Sequence, residues 1–450
     1  MMERIMAVKI GMVSLGCPKN QVDAEIILEK LSSAGYEITP NEAEAEVIII
    51  NTCGFIEEAK AEAIENIIES AKFKEEGSLK ALIVTGCLAE RYRDEISREI
   101  PEADVVVGIG RNHEIVEIVE KALKGEYENR FGEKEELIFE GERMLTTPPY
   151  SAYLKVAEGC DNCCTYCAIP SIRGKFRSRS LESCLKEAEA LAKKGVTEIT
   201  VIAQDTTRYG EDLSGGKSLL PELLRGIAKI DGIHWIRTLY TYPERISDEL
   251  LEVIATEEKV VPYLDMPIQH SVGSILERMN RRGDEAYLRA LIEKIRARVP
   301  DITLRTTVMT GFPGETEKDF ESLCEFLEDI RFDRLGCFAY SEEEGTPAAG
   351  FDGEVDKQLR YDRSENIMNQ QLLITDEKNR EKIGKTLEVL IEGYDNYIRC
   401  YYGRSAADAP EIDGKVFFIS DKPLKIGDYQ RVLINDTIDY DLLGEREGME

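Results

Sequence analysis

The chain of 450 residues has few histidines and no long run of apolar residues. It contains only His113, His234 and His270, whose spacing is not typical of metal ligands, although His270 ends a predicted strand. A Ser-His-Asp hydrolase therefore has no support in the sequence. Because no apolar stretch approaches the roughly 20 residues of a membrane-spanning helix, we expect no membrane partner.

The sequence also lacks the features of an exported protein. Residues 1–5 include an acid and show no small-residue cleavage site, so we expect no signal peptide. Eleven cysteines would suggest disulfides in a secreted chain, but here the count is odd and the chain is large. We therefore expect metal-bound thiolates and a cytoplasmic protein.

Hydrophobic patterns divide the chain into segments and predict an α/β fold class with a small β domain at the end. Residues 1–125 alternate strand and helix patterns, as in a parallel α/β domain. Residues 126–149, rich in Glu and Gly, predict a linker. Six strand patterns with helices between them in residues 150–376 predict a partial, open (βα)6 barrel. Short β runs in residues 377–450 predict a five-stranded barrel.

Four cysteines lie within eight residues of the central segment. Cys160, Cys164 and Cys167 form a C-x3-C-x2-C triplet, which can hold three corners of a [4Fe–4S] cluster and leave the fourth iron open. An open iron is a reaction site, whereas the closed clusters of electron carriers have four protein thiolates. The triplet therefore predicts a catalytic cluster.

Two other interpretations of this loop compete with the cluster. Cys160–Cys163 and Cys164–Cys167 are formally two C-x2-C pairs, but zinc sites usually separate such pairs by about a dozen residues or more. Buried, inert thiols are the other alternative, although four cysteines on one turn would be an unusual way to fill a core. The role of the additional Cys163 is left open.

Three more cysteines follow predicted strands of the first segment. Cys17, Cys53 and Cys87 each lie just past the carboxyl end of a strand pattern. Ligands bind at that edge in open parallel sheets, so these residues should converge there. We predict that they hold a second open [4Fe–4S] cluster. Core positions are predicted for the remaining thiols, Cys184, Cys324, Cys337 and Cys400.

Two strand-end turns of the central segment are candidates for contacts with a cofactor. One contains Gln204 and Asp205, after the second strand. The other is a Gly/Pro turn after the fifth strand, where glycine would let the backbone approach a ligand closely. Its candidate residues are Gly311, Pro313, Gly314 and Glu315. A plain strand-to-helix turn is the simpler interpretation of this second motif.

Several stretches resemble the radical S-adenosylmethionine (SAM) methylthiotransferases, and the resemblance covers nearly the whole chain. They are Gly16–Asp23, Asn51–Phe55, Pro170–Gly174, Gln204–Gly210 and Ala409–Gly414. That family has an N-terminal α/β domain with three cysteines, a radical-SAM partial barrel and a C-terminal β-barrel called the TRAM domain. The chain is most similar to the branch that modifies a ribosomal protein. Only Cys160, Cys164 and Cys167 preserve the family spacing.

The resemblance implies an enzyme with two [4Fe–4S] clusters and SAM. SAM would bind the open iron of the Cys160/Cys164/Cys167 cluster, and its reductive cleavage would give a 5′-deoxyadenosyl radical. This radical would abstract hydrogen from the β-carbon of an aspartate in small-subunit ribosomal protein S-twelve. The Cys17/Cys53/Cys87 cluster would carry sulfur, and a second SAM would supply the methyl group. The two strand-end turns are candidates for contacts with SAM because of their position at the ends of strands, separately from the resemblance.

Charge distribution bears on the partner. The formal net charge is −30, which favours basic partners, although acidity can serve solubility alone. Residues 386–450 carry 7 Lys and Arg against 14 Asp and Glu, a net of −7. A barrel that binds RNA should be basic, so nucleic acid is not expected as the direct substrate. The alternatives are a tRNA adenosine methylthiotransferase and a non-enzymatic iron–sulfur carrier. Sulfur and electron donors stay unidentified.

Overall fold

The structure, a computed structural model, describes residues 8–449. Residues 1–5, on which the expectation of no signal peptide depends, lie outside the described range. Within that range, no helix is long and apolar enough to cross a membrane. Parallel sheets followed by a closed β-barrel confirm the predicted fold class.

A five-stranded parallel sheet forms the first unit, with the order β2-β1-β3-β4-β5. The central strands β3 and β4 are buried at every position, because helices cover both faces of such a sheet. The strands are β1 (Lys9–Ser14), β2 (Glu37–Ile38), β3 (Val47–Thr52), β4 (Ala81–Gly86) and β5 (Val105–Val106). The helices are α1 (Pro18–Ser33), α2 (Glu57–Ala71), α3 (Phe73–Glu76), α4 (Cys87–Arg91), α5 (Arg93–Glu99) and α6 (Ile115–Ala122).

Six parallel strands form the second unit, in two sheets with the orders β10-β9-β6 and β11-β12-β13. Backbone hydrogen bonds on both sides of Ile236 join them into one open row. The strands, with the short pair β7/β8, are β6 (Ser151–Lys155), β7 (Ala157–Glu158), β8 (Arg177–Ser178), β9 (Glu198–Ile202), β10 (Trp235–Thr238), β11 (Tyr263–Asp265), β12 (Thr303–Thr310) and β13 (Arg334–Ala339). The helices are α7 (Ile169–Arg173), α8 (Leu181–Lys193), α9 (Leu220–Ala228), α10 (Asp248–Thr256), α11 (Gly273–Arg278), α12 (Glu285–Arg298) and α13 (Glu317–Ile330).

A 24-residue helix, α14 (Lys357–Arg380), leads from the open barrel to the closed one. Asp356 caps its start by accepting the backbone N–H groups of Gln358 and Leu359. The closed barrel has the order β14-β15-β16-β18-β17. Its strands are β14 (Thr386–Asp395), β15 (Cys400–Ser405), β16 (Val416–Ile419), β17 (Tyr429–Ile438) and β18 (Asp441–Arg446).

The segment predicted as a linker, residues 126–149, packs against both α/β units. Arg143 is 4% exposed and donates a hydrogen bond of 2.7 Å to Glu25 on α1. It also lies 2.7 Å from Glu187 on α8. The segment therefore ties the first sheet to the open barrel through a buried arginine.

A buried ion pair joins the closed barrel to the open one. Arg404 on β15 donates to both carboxylate oxygens of Glu198 on β9, at 3.0 and 2.6 Å. Glu198 is fully buried and Arg404 is 2% exposed. Burial alone would raise the pKa of Glu198, but Arg404 lowers it below the usual range. The pair thus fixes the closed barrel through a bidentate contact.

We expect Arg404→Met to weaken this junction strongly, because Glu198 would keep a buried charge without its bidentate partner. The loss in unfolding free energy should be about 3–5 kcal/mol, measured by urea denaturation. Arg431→Met, which removes an exposed pair with Glu447, is the matched control and should cost less than about 1 kcal/mol. Equal losses in the two variants would contradict a structural role for the buried pair.

The same pair predicts a stability loss in acid. Because the folded pKa of Glu198 is lowered, its contribution is complete above the unfolded value near 4.5 and is lost as the pH falls below it. Unfolding free energies measured from pH 7 to pH 3 should therefore fall more steeply in the wild type than in Glu198→Gln. Parallel curves would show that Glu198 does not contribute to the acid sensitivity.

Candidate metal centres

Cys17, Cys53 and Cys87 meet at the carboxyl-terminal edge of the first sheet. They follow the adjacent strands β1, β3 and β4 within three residues. Gly16, at φ +87°, makes this approach possible, because a Cβ atom there would lie 2.9 Å from the Cys53 Sγ. At Gly54, directly after Cys53, a Cβ atom would lie 3.2 Å from the Cys87 carbonyl carbon. The structure therefore brings together the three residues that the strand-end rule predicted.

An asparagine fixes the loops that carry two of these cysteines. The Asn20 side chain donates to the backbone oxygens of Leu15, Asn51 and Thr52, at 2.7, 3.2 and 3.2 Å. Pro18 can occupy the first turn of α1 because the missing N–H has no partner within the helix there. The β1 and β3 loops are thus held against each other before any ligand binds.

The triplet Cys160, Cys164 and Cys167 lies in the loop after β6 and β7. Gly159, at φ +73°, starts the loop, and the backbone N–H of Cys160 donates to the Gly174 oxygen at 3.1 Å. The N–H of Cys167 donates to the Cys164 oxygen at 3.0 Å. Cys160 and Cys164 are buried and Cys167 is half-buried. The three thiols therefore lie in one short loop that backbone hydrogen bonds hold in place.

Burial changes the acidity of these thiols in the absence of metal. It raises the pKa of Cys87 to about 11 and that of Cys160 to about 12. Burial and the neighbouring thiol of Cys164 raise the pKa of Cys167 further. These groups would be protonated at neutral pH, and because iron binds thiolates they would lose their protons to solvent when iron binds.

The additional Cys163 differs from its neighbours in exposure and conformation. Its side chain is exposed, and its backbone has a left-handed φ of +50°. Asn280 holds this turn by donating to the Cys163 carbonyl oxygen at 3.0 Å. The structure therefore separates Cys163 from the buried triplet.

The geometry also bears on the zinc alternative. Among residues 8–449, no group of three or more His, Cys, Asp or Glu side chains is arranged to hold a single metal ion. A cubane differs from a single ion because each thiolate binds its own iron, so the sulfur atoms stand further apart. Each set of three thiols could supply the donors for such a cluster. In one set, Gly16 leaves room for Cys53.

Arg173 connects the two sets of cysteines. It ends α7, six residues after Cys167, and is 1% exposed. Its guanidinium donates to the Cys87 Sγ at 3.3 Å and to the Asn20 Oδ1 at 3.0 Å. Ala168 and Ile172 pack against the same cysteine. A residue just after the C-x3-C-x2-C loop therefore contacts Cys87, which belongs to the set of cysteines on the first sheet.

Arg173 belongs to a network of four buried charges, the Arg173 network, made of Asp23, Lys155, Glu158 and Arg173. Arg173 lies 2.6 Å from Asp23 and 3.1 Å from Glu158. Lys155 pairs with both carboxylates. Burial alone would raise the pKa of Glu158, but Lys155 and Arg173 lower it below the usual range. Asp23 comes from α1, so the network spans both units.

The strand-end residues Gln204 and Asp205 lie beside the cysteine loop. Gln204 donates to the Glu158 Oε1 at 2.9 Å. Asp205 is fully buried and accepts a hydrogen bond of 2.8 Å from Asn162, inside the loop. Burial raises the pKa of Asp205. Both side chains therefore order the surroundings of the triplet.

The Gly/Pro turn after β12 is occupied mainly by contacts within the protein. The Gly311 N–H donates to Glu315 at 2.9 Å, and Glu315 pairs with Arg363 at 2.7 Å. At Gly311 a Cβ atom would lie 2.2 Å from Arg360. Pro313 and Gly314 are bonded through their backbones to Arg278 and Gly353. This turn approaches the triplet through the edge-on contact of Phe312 with Tyr166, at 6.5 Å between ring centres.

Several residues near the two sets were not predicted as site residues. Tyr242, beyond β10, places its hydroxyl 3.6 Å from the Cys164 Sγ. Lys19, two residues after Cys17, lies over the ring of Tyr240. The strand-end rule could have indicated the two tyrosines, but no pattern singled out Lys19. Of the thiols predicted in cores, Cys184 and Cys400 are buried and Cys324 and Cys337 are half-buried.

Comparison with known families assigns each unit. Residues 9–108 match "Uncharacterized protein family UPF0004", residues 154–327 the radical SAM superfamily and residues 383–446 the TRAM domain. A radical SAM methyltransferase, TsrM from Kitasatospora setae, has a similar fold, with a TM-score of 0.55 and 13% identity. The similarity covers 74% of this chain and 73% of that one. Fold and matched families together define a radical SAM enzyme.

Full-length relatives identify the family within this class of enzymes. The ribosomal protein uS12 methylthiotransferase RimO of Thermoanaerobacter sp. (strain X514) is 50% identical over 97% of this chain and 99% of the relative. The protein of that name from Geobacter sulfurreducens is 48% identical over 97% and 98%. The chain belongs to the RimO family of radical SAM methylthiotransferases.

We expect Arg173→Met to destabilise the contact between the two α/β units, because Lys155 would be the one cation left within 4.0 Å of Asp23 and Glu158 among residues 8–449. The unfolding free energy should fall by about 3–5 kcal/mol in a urea titration. Arg177→Met is the matched control, since Arg177 is half-buried and has no carboxylate within 4.0 Å in residues 8–449. A loss as small as the control's would show that the Arg173 network does not stabilise the interface.

Proposed function

We propose that this enzyme inserts a methylthio group at the β-carbon of an aspartate of ribosomal protein uS12. The observation that carries the proposal is the Arg173 contact, because it places a C-x3-C-x2-C loop next to a second set of three thiols. One open cluster can generate a radical, but adding sulfur to carbon requires a sulfur source within reach. The printed name of the full-length relatives supports uS12 as the substrate.

Each set of cysteines has a proposed role. Cys160, Cys164 and Cys167 would hold the cluster that binds SAM, and Cys17, Cys53 and Cys87 would hold a second one. When bound, the first cluster supplies the electron that cleaves SAM, and the second carries the sulfur to be added. The Arg173 network keeps the two sets of cysteines in a fixed position relative to each other, and burial of the thiols excludes water.

The strand-end residues support this arrangement in different ways. Asp205 holds the cysteine loop through Asn162, and Tyr242 covers Cys164. Phe312 packs edge-on against Tyr166, which belongs to the loop. Direct contacts of Gln204, Asp205 and the turn from Gly311 to Glu315 with SAM stay predictions, because the described bonds of these side chains are to other protein groups.

Charge favours a protein substrate over tRNA. The closed barrel carries a net charge of −7 over residues 386–450, which would repel RNA phosphates and attract a lysine- and arginine-rich ribosomal protein. We expect the proposed reaction in the reducing cytoplasm, because thiols that bind iron must stay reduced. The donors of sulfur and electrons to the two clusters are not identified by these features.

The substrate proposal predicts modification of uS12 by the reconstituted enzyme. Protein loaded with iron and sulfide would be incubated anaerobically with SAM, a reductant and either uS12 or tRNA. Mass spectrometry should show a methylthio group on an aspartate of uS12 and no change in the tRNA. Modified tRNA with unchanged uS12 would favour the tRNA enzyme, and no 5′-deoxyadenosine in either reaction would favour the non-enzymatic carrier.

The two-cluster proposal predicts separable defects. Wild-type protein should contain about eight irons per chain, and Cys17→Ala and Cys164→Ala about four each. Cys164→Ala should abolish formation of 5′-deoxyadenosine, whereas Cys17→Ala should retain it and lose sulfur insertion. Cys163→Ala, in the same loop but exposed, is the matched control and should keep all the iron. A fully loaded wild type with only four irons would contradict the second cluster.

A further inference from the structure

Lys19 is the exception among the buried cations of this protein. Eleven lysines and arginines are buried in residues 8–449, and ten of them have a carboxylate within 4.0 Å. Lys19 is only 7% exposed and has no carboxylate within that distance among the described residues. An unpaired buried charge is unfavourable in free energy. The presence of Lys19 at this position therefore points to a partner from outside the chain.

Lys19 lies near Cys17 and contacts the edge of the open barrel. It lies in the first turn of α1, two residues after Cys17. Its Nζ is 3.1 Å from the centre of the Tyr240 ring, and Tyr240 lies just beyond β10, at the edge of the open barrel that carries the cysteine loop. The ammonium therefore sits between a thiol of the second set and the catalytic edge of the barrel.

The aromatic support of Lys19 is held in an unusual conformation. Tyr240 has a left-handed φ of +61°, which is uncommon for a bulky side chain. Its backbone N–H donates to the Asp265 Oδ2 at 2.9 Å, which fixes the residue at the strand end. The ring face that results contacts the ammonium directly, and a cation over an aromatic face is stabilised without neutralising its charge.

Carboxylates near Lys19 already have other partners. Asp265 binds Arg305 at 2.9 Å, in addition to the Tyr240 backbone. Glu158 is paired with Lys155 and Arg173 within the Arg173 network. Asp265 and Glu158 are thus paired with other cations, and the Lys19 ammonium keeps its capacity to bind an anion.

We propose that Lys19 binds the side-chain carboxylate of the substrate aspartate, an inference that rests on the proposed function. The carbon to be modified is directly bonded to that carboxylate, so a fixed cation would position it next to the sulfur site. Burying the aspartate would also require a cation to offset the loss of hydration. A cavity of about 510 Å³, lined by Cys17, Gln21 and Glu411 among others, leaves room for a substrate segment next to Cys17, two residues before Lys19.

The test compares the affinity of the holoenzyme for two uS12-derived peptides, one with the target aspartate and one with asparagine in its place. Binding is measured by fluorescence anisotropy under anaerobic conditions without reductant, so that no turnover occurs. Wild-type protein should bind the aspartate peptide at least about tenfold more tightly. Lys19→Gln should bind both peptides equally, and Lys19→Arg should keep the preference. Lys30→Gln, at the other end of α1, is the matched control.

Stability and iron content separate this role from a structural one. Lys19→Gln should show an unchanged or higher Tm, because the substitution removes an unpaired buried charge. It should also keep the iron content and the SAM affinity of the wild type. Loss of iron, weaker SAM binding or a lower Tm in this variant would overturn the assignment and indicate a role toward the cluster, SAM or the fold.

The outcomes also distinguish this inference from the proposed function. If the wild type modifies uS12 but Lys19→Gln keeps the preference for aspartate, only the role of Lys19 is wrong. If the wild type cleaves SAM but leaves uS12 unmodified and binds both peptides equally, the substrate proposal fails and the Lys19 assignment fails with it.

Discussion

Two positive and two negative side chains are buried where the first sheet meets the open barrel. Any one of these charges alone would be strongly unfavourable in the interior, and Asp23 reaches its partners only when the two units are in contact. Docking of the units and neutralisation of the charges are therefore the same event. Electrostatic pairing thus selects one arrangement of the units, since apolar packing alone tolerates small shifts.

This arrangement determines the relation between the cysteine sets. Arg173 is separated from Cys167 by only a short helix, and its guanidinium contacts Cys87 directly. A displacement of the first sheet would break this contact and separate Asp23 from Lys155 and Arg173. The interface is therefore stiff at the place where chemistry requires fixed distances, while the closed barrel is tied by a separate buried pair, Arg404 with Glu198. The contacts that position the two sets of cysteines are therefore different from the contacts that attach the acidic barrel.

Much of this architecture could be predicted because it depends on local patterns. Strand patterns followed by Cys17, Cys53 and Cys87 were sufficient to place three distant residues on one rim, since parallel strands in a sheet share their carboxyl edge. The last strand of the closed barrel, β18, has only a weak strand pattern, because its sequence, DLLGER, has little apolar alternation. The helix α1 begins at Pro18, directly after Cys17, because proline is favourable at a helix start.

The contacts between units could not be predicted in the same way. Arg173 follows the C-x3-C-x2-C loop closely in sequence, but its partners Asp23 and Cys87 are distant in sequence and meet it only through docking. The segment 126–149 looked like a linker because its composition is polar, although Arg143 within it is buried between Glu25 and Glu187. Composition reports the average environment of a segment, whereas a single buried ion pair depends on which side chains the fold brings together.

The distribution of charge inside and outside the molecule gives a consistent account of substrate recognition. The surface is acidic overall, which attracts a basic protein from a distance but would repel the carboxylate that is to be modified. A target aspartate must therefore gain a local cation once it leaves water. The buried cations of the Arg173 network already have their carboxylates, so they cannot accept another without losing the interface. Lys19, held over Tyr240 and next to Cys17, meets this need without disturbing the contacts that hold the two sets of cysteines together.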